Sequence, residues 1–286
     1  MTERAVEAAQ TSGLPLEHIA ETANTTALPV EHAAEAAHQS GIHVALSAEQ
    51  IGTFLGIPLT NTLLMSWIVM AMLFTLAFFV RANLKVIPGK FQTFIELMFS
   101  YIYEFIETTL EDKTWARRIF PLLLTLFLFI ALANLIEFTP GIGSITVQHD
   151  GETAPLLRSM NTDLNVTLAL TFIVMFVIEF AGIFALGLFK YAGKFINFSS
   201  PINFIVGLIE LISELSRFIS FSFRLFGNIF AGEVLIAVVS FFVPYFLPAP
   251  VMAFEMFVGI VQGAVFALLT LFFVKMAIAE PHGSHP

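Results

Sequence analysis

One polar stripe runs through an otherwise apolar stretch, Glu210 to Glu233, which reads ELISELSRFISFSFRLFGNIFAGE. At about 100° per residue, Glu210, Ser213, Arg217, Ser220, Arg224 and Asn228 share one narrow helix face. Phe, Leu and Ile fill most of the remainder. Glu233 lies nine residues past Arg224 and projects from roughly the opposite side. The guanidinium of Arg224 stays charged at any ordinary pH, and placing it in a membrane helix costs on the order of 3 kcal/mol on insertion scales. A side chain near a helix end escapes that cost by reaching the headgroups. Here apolar sequence continues for about twenty residues beyond Arg224, as far as Pro244, and for a similar length before it. The spacing therefore predicts a helix that presents a fixed positive charge to a cavity or to a partner charge.

Further polar residues punctuate the other apolar segments: Asn134, Glu137, Glu179, Glu255 and Gln262. No grouping of His suggests a metal site, Cys is absent, and neither a nucleophile paired with a base nor a phosphate-binding loop is visible. Carboxylates and amides at membrane depth suit proton relay. A permanent cation among them interrupts a continuous proton wire and attracts any carboxylate brought to it. At an effective dielectric of about 20, such a pair near 4 Å gains on the order of 4 kcal/mol before desolvation. The pair favours the ionised carboxylate, whereas the same group surrounded by lipid holds its proton. A carboxylate cycling past a fixed Arg224 would thus be a proton-driven device. Two other readings use the same residues. A secondary transporter could bind an anionic solute at Arg224, although the inverted repeat that would favour it is not seen. A purely structural subunit would satisfy its polar groups within the bundle. Glu179, at mid-span, is equally compatible with function and with a protonated carboxyl bonded inside that bundle.

The elements that must hold these groups follow from composition. Of 286 residues, 57% are hydrophobic, 33 are Phe and only 12% are charged, which places the chain among membrane proteins. The net charge of −9 is owed largely to the first fifty residues, and the remainder offers no basic face for nucleic acid. Residues 1–50 form a polar external tail with seven Glu, four His and one base, Arg4, and no apolar core of signal-peptide type. Leu14-Pro15-Leu16-Glu17-His18 recurs there as Leu28-Pro29-Val30-Glu31-His32. Each copy reads as a short helix with Pro in its first turn, and the whole as a solvated segment.

Residues 51–286 read as an all-α multi-pass membrane domain. A first span from about Leu59 to Val80 is followed at once by Arg81, Lys85 and Lys90, which places that end in the cytoplasm and the tail outside. After the Pro88-Gly89 break, Phe91 to Leu110 carries Glu96, Glu104 and Glu107 among Phe and Ile. It reads as an amphipathic surface helix whose acidity suits protein more than anionic lipid. A second span covers Ile119 to about Ile136. The external loop from Thr139 to Thr162 holds Arg158 as its one base, and Asp163 is a plausible N-cap for a third span reaching about Phe189. The run from Pro201 to Pro244 is over 60 Å of helix at about 1.5 Å per residue, too long to stand upright in a core of about 30 Å. The last helix, Val251 to Ala279, is also over-long, with Glu255 and Gln262 on one face and Gly259 and Gly263 beside them. Lys275 suggests a cytoplasmic C-terminus.

The block Ser222-Phe-Arg224-Leu-Phe-Gly-Asn228-Ile-Phe-Ala-Gly-Glu233 resembles the defining motif of subunit a of the bacterial F-type ATP synthase. Pro88-Gly-Lys-Phe-Gln-Thr93, Asp163-Leu-Asn-Val-Thr167 and Gln262 add to the likeness, which covers about residues 55–280. The resemblance implies a non-catalytic, proton-translocating stator subunit of the membrane sector, without cofactor, in the bacterial inner membrane. It implies three conventional spans, one surface helix and two long tilted helices, forming a four-helix bundle against a ring of c subunits. The other partners it implies are the b-subunit peripheral stalk, the rest of the ATP synthase complex and membrane lipid. On it, Asn134, Glu137, Asn228, Glu233, Glu255 and Gln262 would line an external half-channel, and Glu210, Ser213 and Ser220 the cytoplasmic side, with Arg224 between them. Protons would cross by way of a ring carboxylate, and the ring's rotation would drive ATP synthesis elsewhere in the complex. Two positions depart from the family pattern: Glu255 stands where many relatives have His, and Glu179 has no recognised counterpart.

Overall fold

The computed structural model describes residues 48–54, 57–139, 145–149, 152–195, 201–243 and 245–279. The repeated units of the acidic tail lie outside these residues. Seven α-helices and two small hairpins make up the described chain.

Strands β1 (Gln50–Phe54) and β2 (Ile57–Thr60) pair antiparallel, with Gly52 opposite Leu59 and Phe54 opposite Ile57. β3 (Thr146–His149) pairs with β4 (Glu152–Pro155) in the same sense, and β1 lies against β3. These strands were not expected from the sequence. Both are too short to show the alternation that marks a half-buried strand. They gather at one end of the bundle, here termed the hairpin end.

Helix α1 (Asn61–Ala82) starts where the Thr60 hydroxyl accepts from the Leu63 amide. Pro88-Gly89 then interrupts the chain, and α2 (Lys90–Leu110) begins with Gly89 as its cap. The Gln92 side chain ties the turn before α2: its carbonyl oxygen accepts from the Lys85 amide and its nitrogen donates to the Lys85 carbonyl, both at 3.0 Å. Asp112 caps α3 (Lys113–Glu137) by accepting from the Thr114 and Trp115 amides. Asp163 caps α4 (Leu164–Leu186) by accepting from the Asn165 amide, as its position suggested, and also accepts from the Thr62 hydroxyl of α1 at 3.0 Å. The third span ends three residues before the expected Phe189. Gly187 adopts φ +84°, a conformation that favours glycine, and the chain restarts as the short α5 (Leu188–Phe195).

Helix α6 (Pro201–Phe242) runs unbroken for 42 residues. Neither Gly227 nor Gly232 interrupts it, because a lone glycine in a helix costs only about 1 kcal/mol. After the turn, Pro248 and Pro250 enter the first turn of α7 (Pro248–Ile278), where a missing N–H costs nothing. Five helices, α1, α3, α4, α6 and α7, are long and apolar enough to cross a membrane among the described residues. The chain is thus an all-α multi-pass membrane protein apart from its hairpins.

The centre is a four-helix bundle of α3, α4, α6 and α7, with α1 and α2 packed on α3. Leu123, Leu126 and Ile130 of α3 meet Val174 and Ile178 of α4, Phe221, Leu225 and Ile229 of α6, and Phe266, Leu271 and Val274 of α7 in one buried cluster. The seam between α3 and α7 is the most extensive. In lipid no hydrophobic force separates helix from solvent, so close van der Waals approach over small residues does the work. A Cβ on Gly263 would lie 3.1 Å from the Ala131 amide nitrogen and the Phe127 carbonyl oxygen, so any larger residue would push the two backbones apart by a few tenths of an ångström. Helix α2 buries Ile106 and Leu110 against the bundle, in line with its expected packing on protein, while Phe91, Phe94, Leu97 and Tyr101 stay exposed.

Candidate functional site

The polar stripe of α6 lies at the border of its buried face. Phe221, Ser222, Leu225, Phe226, Ile229 and Gly232 turn into the bundle, while Phe223, Arg224 and Asn228 are exposed. Arg224 stands 23 residues after Pro201 and 18 before Phe242, near the middle of the helix. Its Nη2 donates to the Ser220 hydroxyl at 3.4 Å, and no carboxylate lies within ion-pair distance of it among the described residues. A charge so placed faces outward across a surface that the described residues do not cover.

Toward the hairpin end a second polar group assembles from four elements. Asn228 donates to the Gln262 carbonyl oxygen at 2.7 Å, joining α6 to α7, and the Gln262 nitrogen is buried without a partner among the described residues. Asn134 of α3 is fully buried: its nitrogen donates to the Gly259 carbonyl at 3.0 Å, and its oxygen accepts from Asn161 at 2.6 Å. A Cβ on Gly232 would collide with the carboxylate of Glu255, so this glycine gives the acid its place between α6 and α7. Glu137, at the end of α3, lies within electrostatic range of Glu233, Glu255 and Arg158, and one of its oxygens is buried without a partner among the described residues. Arg158 reaches Glu233 at 3.3 Å and is only 7% exposed.

The other end holds a third group. Arg217 lies 3.6 Å from Glu210 and 3.6 Å from Glu214, donates to the Ser213 hydroxyl at 3.3 Å, and covers the Phe273 ring at 5.4 Å. On the neighbouring helices, the Tyr191 hydroxyl of α5 donates to a Glu179 oxygen of α4 at 2.9 Å. Burial, then the bond to Glu179 and the nearby Glu214, hold the Tyr191 phenol well above its ordinary range. At the same end Lys275 of α7 meets Glu111 at 2.8 Å. That hydrogen bond, and then the ammonium charge, hold the Glu111 carboxyl below the usual range.

Each residue singled out from sequence therefore falls into one of three places. Asn134, Glu137, Asn228, Glu233, Glu255 and Gln262 gather between Arg224 and the hairpin end. Arg224 and Ser220 stand at the middle. Glu210 and Ser213 lie toward the opposite end, and Glu179 joins their side through Tyr191. The sequence reading missed Arg158, Asn161, Glu214 and Tyr191 as members. A base embedded in an acidic loop, followed by the polar run Ser159-Met-Asn-Thr162 that proves buried, was the available signal for the first two. Among the described residues no three His, Cys, Asp or Glu side chains are grouped to hold a metal.

The family model described as ATP synthase A chain matches residues 63–275. A protein named ATP synthase subunit a from Desulfotalea psychrophila is 36% identical over 221 residues, covering 76% of this chain and 84% of that protein. One of the same name from Mycobacterium bovis is 33% identical over 252 residues, covering 85% of this chain and 96% of its own length. A third, from Propionigenium modestum, is named ATP synthase subunit a, sodium ion specific; it is 30% identical over 226 residues, covering 79% of this chain and 76% of that protein.

Proposed function

Because the chain belongs to the ATP synthase A chain family, we propose that it is the stator of the membrane sector and supplies two proton half-channels that meet, without joining, at Arg224. The single observation that carries this reading is the Arg224 guanidinium, near mid-helix on the outer face of α6, with Ser220 as its hydrogen-bond partner. A charge of that kind in a bilayer needs an opposite charge or water beside it. A ring of c subunits, each bringing one carboxylate past α6, supplies it.

The polar group at the hairpin end then serves as the external half-channel. Glu137, Glu233 and Glu255 take up protons, Arg158 balances their charge, and Asn134, Asn228 and Gln262 carry hydrogen bonds inward toward the ring. Close to Arg224 the ring carboxylate is favoured as an anion and gives up its proton toward Ser220, Ser213 and Glu210. The arginine blocks a direct proton path between the two sides, so each proton travels with the ring for almost a full turn. Each charge crossing 100 mV supplies about 2.3 kcal/mol, which the complex uses for ATP synthesis elsewhere. At about 1.5 Å per residue, the 42 residues of α6 measure about 63 Å, so the helix lies strongly tilted along the ring. Arg81, Lys85, Lys90, Arg117, Arg118 and Lys275 all belong to the end opposite the hairpins, which favours a cytoplasmic position for that end and for the C-terminus, in a bacterial inner membrane. The N-terminal tail is then external, and the b-subunit stalk completes the stator.

The test is ATP-driven acidification of inverted membrane vesicles in sodium-free buffer, comparing the native chain with Arg224→Ala while the c ring and soluble sector are followed by blot. Loss of acidification in a fully assembled complex is the expected result. Continued pumping by Arg224→Ala would overturn the reading and direct attention to solute uptake. Acidification by the native chain only when sodium is present would reassign the transported ion.

A further inference from the structure

We propose that Glu179 is a proton-carrying residue on the cytoplasmic side of Arg224, coupled through Tyr191 to the Arg217 cluster of α6. This rests on the half-channel reading above. Glu179, Tyr191 and Arg217 stand on three different helices, α4, α5 and α6, and the bundle brings them together.

Within this group three carboxylates, Glu179, Glu210 and Glu214, accompany one guanidinium. Arg217 is shared by Glu210 and Glu214, each at 3.6 Å, so their charge is fixed by a permanent cation. Glu179 forms no ion pair among the described residues. Its described partner is the Tyr191 hydroxyl, which donates to one oxygen at 2.9 Å, and its other oxygen is buried with no partner among the described residues. An unpartnered buried oxygen costs about 1–3 kcal/mol and calls for an explanation. A carboxyl whose second oxygen gains and loses a proton supplies one.

Tyr191 is built to hold that position. A Cβ on Gly182 would strike the Tyr191 ring, so the glycine, one turn beyond Glu179 on α4, opens the seat that the phenol fills. The phenol is 4% exposed, and Glu214, Glu179 and Arg217 all act on its hydroxyl. The hydroxyl therefore stands between Glu179 and the charges of α6. Arg217 lies seven residues from Arg224, about 10 Å along the helix. A proton released beside Arg224 passes this group before it reaches the end of the bundle. The step is a proton transfer alone: the Glu179 carboxylate takes the proton on its free oxygen, becomes a carboxyl, and returns to carboxylate when water accepts it.

The experiment uses the whole complex in inverted vesicles carrying Glu179→Gln, Glu179→Asp or Tyr191→Phe, with Arg224→Ala as reference. Passive proton conductance after removal of the soluble sector is measured against pH, beside ATP-driven acidification. Gln keeps the size of Glu179 and can still accept the Tyr191 bond through its carbonyl oxygen, but it cannot carry the proton. Glu179→Gln is expected to lower conductance about tenfold or more with assembly unchanged. Glu179→Asp should keep more than about half of it, and Tyr191→Phe should lower it and shift its pH profile. Native conductance in Glu179→Gln overturns the proposal, and so does equal loss in the Asp and Gln variants. If Glu179→Gln does not assemble, Tyr191→Phe decides, and undiminished conductance with an unmoved pH profile overturns it. Native conductance in Glu179→Gln beside loss of ATP-driven acidification in Arg224→Ala refutes this inference alone, whereas ATP-driven acidification that persists in Arg224→Ala refutes the half-channel reading beneath it.

Discussion

Gly259→Ala tests whether the seam between α3 and α7 is as tight as drawn. The new Cβ would lie 2.7 Å from the Cβ of Asn134, where two carbons prefer about 3.5–4.0 Å. The overlap is thus close to 1 Å, and it falls on the stem of a side chain rather than on a flexible tip. Asn134 cannot turn aside freely, since it is fully buried and held by Gly259 at 3.0 Å and Asn161 at 2.6 Å. Either the helices separate, or Asn134 tips and loses its bond to α7. Overpacking costs about 1–3 kcal/mol, whereas a hydrogen bond between membrane helices averages about 0.6 kcal/mol and reaches about 1.7. The steric term dominates, and that gives the test its design. In an Asn134→Ala background the obstructing Cβ remains, so Gly259→Ala should stay damaging. In an Asn134→Gly background the obstruction is gone, and Gly259→Ala should cost little more, apart from the roughly 1 kcal/mol that glycine itself costs α3. The readout is the half-inactivation temperature of purified complex, beside pumping in vesicles. Equal damage from Gly259→Ala in the Ala and Gly backgrounds would refute the steric argument. A native half-inactivation temperature for Gly259→Ala alone would show that the seam is looser than the geometry requires.

Glu255 occupies the space left by Gly232 and lies in range of Glu137; on the proposed half-channel reading, the position calls for a group that can exchange a proton more than for this particular acid. Glu255→His should retain more ATP-driven proton pumping than Glu255→Leu, and equal loss in both would refute this. The Glu111–Lys275 pair is exposed, so Lys275→Ala should leave pumping unchanged and lower stability only slightly, an effect that added salt erases. Because Lys275 depresses the Glu111 carboxyl, whatever the pair adds is complete above the ordinary glutamate range near 4.5 and is lost as pH falls through the lower folded value. Thermal inactivation of native and Lys275→Ala complexes at pH 7 and pH 3.5 would therefore converge at the lower pH; a gap that widens in acid contradicts the assignment.

The helices were legible because their causes are local. The apolar run around Arg224 exceeds a bilayer width whatever it packs against, and Asp163 caps α4 through an amide only two residues away. The end of α4 was misjudged by three residues for the opposite reason. Gly187 looks like many tolerated glycines, and only its φ of +84° shows that the helix stops there. The hairpins escaped notice because four or five residues carry too little periodicity to separate a strand from a loop.

The site divides along the same line. Residues that share α6 are placed relative to one another by angle alone, so the sequence itself sets Ser220 and Arg224 on one face, where the two hydrogen-bond. Partners on different elements could not, because nothing in a helical period states which face of α3 meets which face of α7. Arg158 is the clearest case. Read in order, it is a base in a loop rich in acids, which suggests solvent. Folded, the loop turns back over the bundle, the polar run after Arg158 is buried, and Arg158 sits against Glu233 from 75 positions away. The cost of burying that guanidinium is offset only if a carboxylate stays beside it. On the reading proposed above, Glu233 balances that buried charge, and Glu137 and Glu255 are the acids left for proton exchange. On the same reading, Arg217 holds Glu210 and Glu214 at the opposite end, and Glu179, whose described partner is a phenol, is the group proposed to exchange. On that proposal each half of the bundle combines a guanidinium and its ion-paired acid with further carboxyls outside that pair among the described residues, and Arg224 stands between the halves on the outer face of α6.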